Sequence, residues 1–244
     1  MFRACFILIL TFSYQLISGQ QAFIGFGSKL GTYSMKDLDR FQKYRLESTM
    51  LPLETTESYP ATLGYHFETG QYLDAFISKW GIFYNFNSTG ARSTISDYSG
   101  RFDLDAVISS HQLGLSSEHR FKQKNSWAIG MYCEAGAIYS ELRTLDFFNL
   151  VGAVSKTYKI EYDLIAFGGF AEAGISLNYK FKFLSAAFKF GYLNDISAVF
   201  HEKGFKERML FLNGKKVKPG WDGLRAGLEL NILFPGKNKP KPKP

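Results

Sequence analysis

The stretch GLRAGLELNILF, residues 223–234, decides the fold of this chain. Its apolar residues occupy every second position: Leu224, Ala226, Leu228, Leu230, Ile232 and Phe234. The intervening positions hold Gly223, Arg225, Gly227, Glu229 and Asn231. Because side chains alternate between the two faces of a strand, this pattern predicts a β-strand with one apolar and one polar face. A strand placed between lipid and a polar interior needs this alternation.

A weaker form of the same alternation recurs upstream and predicts seven more strands. The segments are 24–27, 59–68, 76–86, 102–111, 127–137, 165–178 and 184–192. In the fourth segment we expect Phe102, Leu104, Ala106 and Ile108 to face outward, with Asp103, Asp105, Ser109 and His111 facing inward. The connections alternate in length: 30–58, 69–71, 87–98, 117–125, 144–159, 178–180 and 195–220. Long external loops and short periplasmic turns are typical of membrane barrels.

These observations predict an all-β fold, a transmembrane antiparallel up-and-down β-barrel of eight strands. Ten strands result if the hairpin indicated by Asn213-Gly214 joins the wall. The alternative is a soluble lipocalin-like barrel. Composition agrees with an all-β chain: of 244 residues 45% are hydrophobic and 17% aromatic, yet the mean hydropathy is −0.13. The sequence has no run of about 20 apolar residues, which excludes a bundle of membrane helices.

The chain divides into three parts. Residues 1–19 are predicted to be a signal peptide, with Arg3 before an apolar stretch and Ser18-Gly19 before the cleavage position. Residues 20–235 are the predicted barrel in the cell outer membrane. Residues 236–244 form a Lys/Pro-rich tail, which we expect to be extended and periplasmic and to contact peptidoglycan. Four of the excess positive charges lie in this tail, so the net charge of +7 gives no support to nucleic-acid binding.

Two segments resemble a known class of proteins. Residues 86–92 (FNSTGAR) followed by 96–100 (SDYSG) are similar to a loop pattern of small outer-membrane β-barrel proteins of the Bacteroidota type. The last strand resembles the signal read by the outer-membrane assembly machinery, through Gly227, Leu230, Ile232 and the terminal aromatic Phe234. It departs from that signal in its aliphatic residues and in the ten residues that follow Phe234. The resemblance implies assembly by that machinery and brings no catalytic residues.

Charged side chains collect on the predicted inward face. They are Lys79, Asp103, Asp105, Glu134, Glu172, Lys189, Arg225 and Glu229. Eight strands leave room for side chains but not for a wide channel, so we interpret this set as an ion network that fills the barrel. The alternatives are an ion path or an acid–base pair, with Glu134 and Glu172 as a glycosidase-like couple.

Residues that could carry other chemistry are few. His66 and His111 have inward phase, but no pair of histidines has metal-site spacing, and we expect neither metal nor cofactor. Asp195, Ser197 and His201 share one predicted loop and suggest a Ser-His-acid hydrolase acting on lipid A. Cys133 has outward phase and behaves as a small hydrophobic residue.

Two long loops are candidates for binding. The first contains Ser34-Met35-Lys36-Asp37, which predicts a short helix, and the last carries basic residues around the Asn213-Gly214 hairpin. We therefore predict a monomeric outer-membrane protein with a structural, surface-shielding or loop-binding role and no catalysis. Its expected partners are outer-membrane lipid and lipopolysaccharide. The competing functions are a lipid A-modifying hydrolase, a narrow channel for small solutes and a soluble lipid-binding barrel.

Overall fold

The computed structural model describes residues 21–49, 54–73, 78–98, 100–150 and 156–234. The predicted signal peptide and the Lys/Pro-rich tail lie outside these ranges. The wall strands are β1 (Gln21–Gly31), β3 (Thr62–Leu73), β4 (Ser78–Asp97), β5 (Gly100–Lys124), β6 (Trp127–Leu150), β7 (Lys156–Phe181), β8 (Leu184–Ser197) and β13 (Gly223–Phe234). The remaining elements are α1 (Lys36–Thr49), β2 (Glu54–Ser58), β9 (His201–Glu202), β10 (Phe205–Met209), β11 (Phe211–Leu212) and β12 (Lys215–Lys216).

The eight wall strands form a closed antiparallel ring. Each strand pairs with its successor along the wall, and β13 pairs with both β8 and β1, so that the ring is closed. The closing register joins Ala22 to Phe234 and Gly31 to Arg225. The predicted all-β, up-and-down barrel is therefore confirmed.

The strand count is eight because the last-loop hairpin stays out of the wall. β11 and β12 pair only with each other, in a separate two-stranded sheet. Their connection is Asn213-Gly214, with φ angles of 49° and 73°, as a two-residue type I′ hairpin requires. The short strands β2 and β9 extend the sheet beside β4 and β7, and β10 pairs with β9.

The two ends of the barrel differ. At the turn end, Asn125-Ser126 and Lys182-Phe183 join neighbouring strands directly. At the loop end, residues 32–61 and 198–222 make the two long connections. Several predicted connections lie inside strands instead: β3 runs through 69–71, β4 through 87–97, β5 through 117–124, β6 through 144–150 and β7 through 159 and 178–180. At the loop end the strands project beyond the apolar part of the wall, where pairs such as Arg92 and Asp105 face each other across the sheet. At the turn end Thr69, Gln71 and Asn178 are buried polar residues of the lumen.

The outer surface of the wall is apolar. On β13, Leu224, Leu228, Leu230 and Ile232 are exposed while Arg225, Gly227, Glu229 and Asn231 are buried, which confirms the predicted facing of this strand. Exposed large side chains continue around the ring on the other strands, among them Phe26, Tyr65, Trp80, Leu115, Met131, Ile175 and Phe190. Within the described ranges, no helix is both long and apolar enough to cross a membrane.

The lumen is filled in three layers. At the turn end, Phe23, Tyr72 and Leu233 form a small apolar cluster. The middle layer is charged and is described below. The loop-end layer is a larger apolar cluster, made of wall residues together with side chains of α1 and the last loop, and we call it the plug. Its members include Met35, Leu38, Phe83, Ile108, Ile138, Leu142, Phe170, Leu193, Phe200, Val217 and Trp221.

This apolar loop-end layer reverses the predicted facing of β5. Phe102, Leu104, Ala106 and Ile108 point into the lumen and are buried, and Asp103, Asp105 and His111 lie on the outer face. The prediction was wrong here because it assumed a polar interior along the whole strand. The inward face of β5 is apolar within the loop-end layer and polar only from Ser110 onward.

Trp221 fixes the last loop inside the mouth of the barrel. Its ring is fully buried, its Nε1 donates to Ser140 Oγ at 2.9 Å, and it packs edge-on against Tyr33. We expect Trp221→Ala to lower the free energy of unfolding by about 3–5 kcal/mol, because it leaves a cavity and an unpaired Ser140 hydroxyl. Urea unfolding in detergent micelles measures this change. Phe205→Ala, at an exposed position of β10, is the control and should change stability by less than about 1 kcal/mol; equal effects of both substitutions would contradict the plug.

Candidate functional site

A chain of alternating carboxylates and ammonium groups crosses the middle of the lumen. Three lysines each bind two or three glutamates, in the order Glu172, Lys29, Glu134, Lys189, Glu229, Lys79, Glu68. Seven of the eight wall strands contribute one member each: β7, β1, β6, β8, β13, β4 and β3. We call these seven residues the ion chain. The eighth strand, β5, contributes Ser116, whose hydroxyl donates to Glu68.

The distances show that the lysines are shared. Lys189 Nζ lies 2.7 Å from Glu229 Oε2, 3.3 Å from Glu134 Oε1 and 3.5 Å from Glu68 Oε2. Lys29 Nζ contacts Glu134 and lies 3.3 Å from Glu172 Oε1. All seven side chains are buried, so every charge depends on its neighbours in place of water.

Glycines make the room that these long side chains need. Gly227 stands directly between Lys29 and Lys189 in the strand register, and a Cβ there would lie 3.0 Å from Lys29 Cγ. At Gly81 a Cβ would lie 2.8 Å from Glu68 Oε1. Small inward residues beside large ones are how a narrow barrel is packed.

Formal charges in the ion chain do not cancel, since four carboxylates face three ammonium groups. His66 lies beside two of these carboxylates: its Nε2 is 3.4 Å from Glu68 Oε2 and 3.7 Å from Glu229 Oε2. Its Nδ1 lies 2.5 Å from Asn85 Oδ1. At the other end of the chain, Tyr132 OH donates to Glu172 Oε1 at 2.7 Å. The terminal carboxylates thus receive hydrogen bonds from neutral or titratable donors as well as from lysine.

A second, smaller polar cluster lies toward the turn end. Arg120 Nε donates to Glu118 Oε1 at 3.0 Å, and the guanidinium stacks on the Tyr72 ring at 4.9 Å. Ser176 Oγ donates to the same carboxylate oxygen at 2.8 Å. The Asn178 amide donates to Glu118 and accepts from Arg120. This cluster joins the ion chain to the apolar layer at the turn end.

Five of the eight residues predicted for the interior network lie in the ion chain: Lys79, Glu134, Glu172, Lys189 and Glu229. Arg225 is also buried and inward, but it donates to the Trp221 carbonyl at 3.2 Å and lies over the Tyr33 ring at 4.7 Å. It therefore belongs to the loop-end plug.

Asp103 and Asp105 do not belong to the lumen. They lie on the outer face at the loop end, paired with Arg101 and Arg92 at 2.7 Å. Two members of the ion chain, Lys29 and Glu68, were missing from the predicted set. The alternation of the strands could have identified both, because residues two apart lie on the same face. Glu68 follows the inward His66 by two residues, and Lys29 follows the inward Gly27 by two.

The geometry of the ion chain suits packing better than chemistry. Ligand atoms of His66, Glu68 and Glu229 lie within 4.8 Å of one another, as a metal site requires. The ammonium groups of Lys79 and Lys189 already bind both of these carboxylates, so a metal ion would have to displace them. Glu134 and Glu172 are directly opposite each other and both contact Lys29, with no space for a sugar between them.

The suggested hydrolase residues are arranged differently from a triad. The Ser197 hydroxyl donates to Asp195, whose other oxygen accepts from the Trp221 amide at 3.0 Å. His201 lies on β9 opposite Ile165. Asp195 and Ser197 instead line a polar pocket of about 200 Å³ at the loop end, between α1 and the last loop, which also includes Arg40, Lys218 and Asp222.

Replacing one lysine of the ion chain should cost far more than replacing a surface lysine. We expect Lys189→Met to lower the free energy of unfolding by about 3–5 kcal/mol, because it leaves buried carboxylates without a cation. The double variant Lys189→Met/Glu229→Gln should recover part of this loss. Lys203→Met, which breaks an exposed pair with Glu141, is the control and should cost less than about 1 kcal/mol. Unfolding in urea measures these variants and the single variant Glu229→Gln, and a loss in the double variant equal to the sum of the losses from Lys189→Met and Glu229→Gln would argue against the network.

The solved structures described below are distantly similar to this chain. No protein-family model matches the chain, and no curated protein matches it. One solved structure is that of Ail, the attachment invasion locus protein of Yersinia pestis, in complex with the heparin analogue sucrose octasulfate. It is 10% identical to this chain with a TM-score of 0.38, and the match covers 88% of this chain and 99% of that one. Ail without that ligand is 11% identical with a TM-score of 0.37 over the same shares. LpxR from Salmonella typhimurium is 8% identical with a TM-score of 0.27, covering 87% of this chain and 100% of that one. These similarities are too low to support any inference about activity or ligands.

Proposed function

We propose that this chain is an integral outer-membrane protein that acts through its loop end and neither transports solutes nor catalyses a reaction. The observation that carries the proposal is an apolar outer wall around a lumen filled by side chains from end to end. A soluble lipid-binding barrel would have the opposite arrangement, a polar outer wall and an apolar cavity. A channel would need a gap through the layers that the plug and the ion chain occupy.

The height of the apolar wall matches a membrane. From Leu224 to Ile232 the exposed apolar positions of β13 cover eight residue steps, about 27 Å along the strand. With a tilt of about 40° this is about 20 Å along the barrel axis, close to the apolar band of roughly 25 Å in outer-membrane barrels. Trp80, Trp127 and Tyr179 lie exposed toward the turn end, where aromatic girdles occur. Short turns at that end support a periplasmic location for it, with the loop end outside.

The wall can be tested by placing a charge on it. Leu228 is 64% exposed in the middle of the apolar band, and Leu228→Arg should cost about 2–4 kcal/mol at the bilayer midplane. We expect reduced membrane assembly, measured as the fraction of chain that shows faster gel mobility unboiled than boiled. The matched control is Tyr98→Arg, at a 96% exposed position of the loop end, which should assemble normally. Normal assembly of Leu228→Arg would refute the lipid-facing wall.

The loop end presents a mixed basic and apolar surface that fits the phosphates of lipopolysaccharide. Lys206, Lys215 and Lys216 are exposed on β10 and β12, beside exposed Phe205 and Phe211. Their neighbour Lys203 is also exposed, but its ammonium donates to Glu141 at 3.0 Å, and this hydrogen bond raises the pKa of Lys203. A projecting basic surface next to an anionic leaflet gains electrostatic attraction.

Charge removal tests this partner. The triple variant Lys206→Gln/Lys215→Gln/Lys216→Gln should bind lipopolysaccharide vesicles more weakly at low salt, by about fivefold per lysine, and the difference should fade at high salt. Binding of the purified, folded protein to such vesicles is measured by co-flotation. Lys36→Gln, on α1 beside the polar pocket, controls for net charge. Equal binding of the triple variant and the wild type would remove this role.

The closed ring also supports a monomer, because every wall strand has a neighbouring strand on each side and the ring closes without a second copy. The remaining periplasmic contact in our proposal is the Lys/Pro-rich tail, residues 236–244, whose lysines would meet anionic cell-wall material beneath the barrel.

A further inference from the structure

A groove in the outer wall interrupts the otherwise convex apolar surface. It has a volume of about 620 Å³ and extends across β6, β7, β8, β13 and β1 in the half of the barrel nearest the turn end. The groove is defined here by its outward-facing residues Trp127, Tyr179, Ala186, Phe188, Leu230 and Ser28.

Small residues create the groove. Trp127, Tyr179, Ala186, Leu230 and Phe26 lie side by side across five strands in the register of the wall. Within this row the side chain of Ala186 is flanked by larger ones, and Ser28 makes a similar gap in the next row, opposite Leu228. The walls of the groove are almost wholly apolar, which suits an acyl chain.

The turn end next to the groove is basic. Lys182 lies in the β7–β8 turn, three residues beyond Tyr179, and Lys124 is directly opposite Trp127. Lys122 is also exposed at this end, and Lys180 reaches Gln21 Oε1 at 3.4 Å. The described segments 120–127 and 178–186 contain these lysines and Arg120 but no acidic residue. Arg120 is paired with Glu118 at 3.0 Å, so the positive charge that this end presents comes from the exposed Lys122, Lys124 and Lys182.

We propose that the groove and the lysines of the turn end together bind an anionic diacyl phospholipid. This inference rests on the proposed membrane location, which places the turn end in the inner leaflet. An acyl chain lies in the groove over Ala186 and Ser28, and the phosphate lies near Lys182 and Lys124. From the row of Ala186 to the β7–β8 turn is about three residue steps, or about 10 Å, a distance that a lysine and a glycerol phosphate can bridge.

Charge argues against a second copy of the chain as the occupant. Two barrels meeting at this face would bring the lysines of both turn ends together, which is unfavourable in a low-dielectric interface. Lipopolysaccharide is excluded by location, since it belongs to the leaflet at the loop end. An anionic phospholipid satisfies both the apolar groove and the basic rim.

The test counts lipids on the folded, full-length protein by native mass spectrometry in a neutral detergent. The probes are phosphatidylglycerol and, with the same acyl chains, phosphatidylcholine. We expect the wild type to retain phosphatidylglycerol over phosphatidylcholine by about tenfold or more, since each lysine near an anionic lipid contributes roughly fivefold. The double variant Lys124→Gln/Lys182→Gln should lose this preference and bind both lipids equally.

Filling the groove separates the acyl site from general lipid contact. Ala186→Phe should reduce retention of both lipids at least about fivefold, the effect of losing roughly 1 kcal/mol. The matched control Ala171→Phe, at an exposed outer-face alanine of β7 outside the groove, should bind like the wild type. Equal retention in Ala186→Phe and Ala171→Phe, a wild type without preference between the lipids, or a dimer mass in place of lipid adducts would each overturn the inference.

Gel mobility and vesicle insertion are measured for every variant, so that failure of the phospholipid site can be distinguished from failure of the proposed membrane location. Normal insertion without lipid selectivity overturns the phospholipid site alone. Failure of the wild type to insert overturns the proposed function itself.

Discussion

The narrow interior of an eight-stranded ring is the constraint on which the rest of this structure depends. Such a ring leaves space for side chains and little else, so each inward residue must find its partners among other inward residues. In the ion chain, seven strands contribute one charged residue each, and β5 contributes Ser116. A buried charge without a partner costs several kcal/mol, so the Glu/Lys order of the ion chain and the register of the wall determine each other.

The loops follow from the same constraint. Above the ion chain the lumen is closed by apolar residues, and the wall alone does not supply enough of them. Trp221 and Phe200 from the last loop and Leu38 from α1 complete the layer. Gln42 of α1 donates to the Leu104 carbonyl at 3.3 Å, and Arg45 pairs with Asp146 on β6. The long connections are therefore packed parts of the barrel, and this is why we assign the function to their outer surface.

Much of the fold could be predicted from alternation alone, and the failures have a common cause. On β13 one face is apolar and the other polar along the whole strand, so its facing and its role in the wall were predicted correctly. On β5 the inward face changes from apolar to polar between Ile108 and Ser110, and the outward face carries Asp103 and Asp105 beyond the apolar band. Periodicity shows that two faces exist, but it cannot tell which of them is inside when both are mixed.

A member of the ion chain could be predicted from the sequence only where the limits of its strand were predicted correctly. Glu134, Glu172, Lys189 and Glu229 lie in the middle of clearly alternating strands, and their inward phase was evident. Lys29 lies near the end of a strand that was predicted too short, although it keeps the phase of Gly25 and Gly27. The pairing of Lys29 with Glu134 and Glu172, 105 and 143 residues away, depends on ring closure and on a three-dimensional register that a single sequence does not contain.

Side chains seal the lumen of this barrel, and a measurement of ion conductance in planar bilayers tests that seal. The purified, folded protein is inserted into a bilayer in 1 M salt. At this concentration the Debye length is about 3 Å, so charges on the protein surface do not suppress the conductance of a pore. We expect no open level above the lipid background at any applied voltage that the bilayer tolerates. A stable, single-channel conductance from the folded wild-type chain would contradict it.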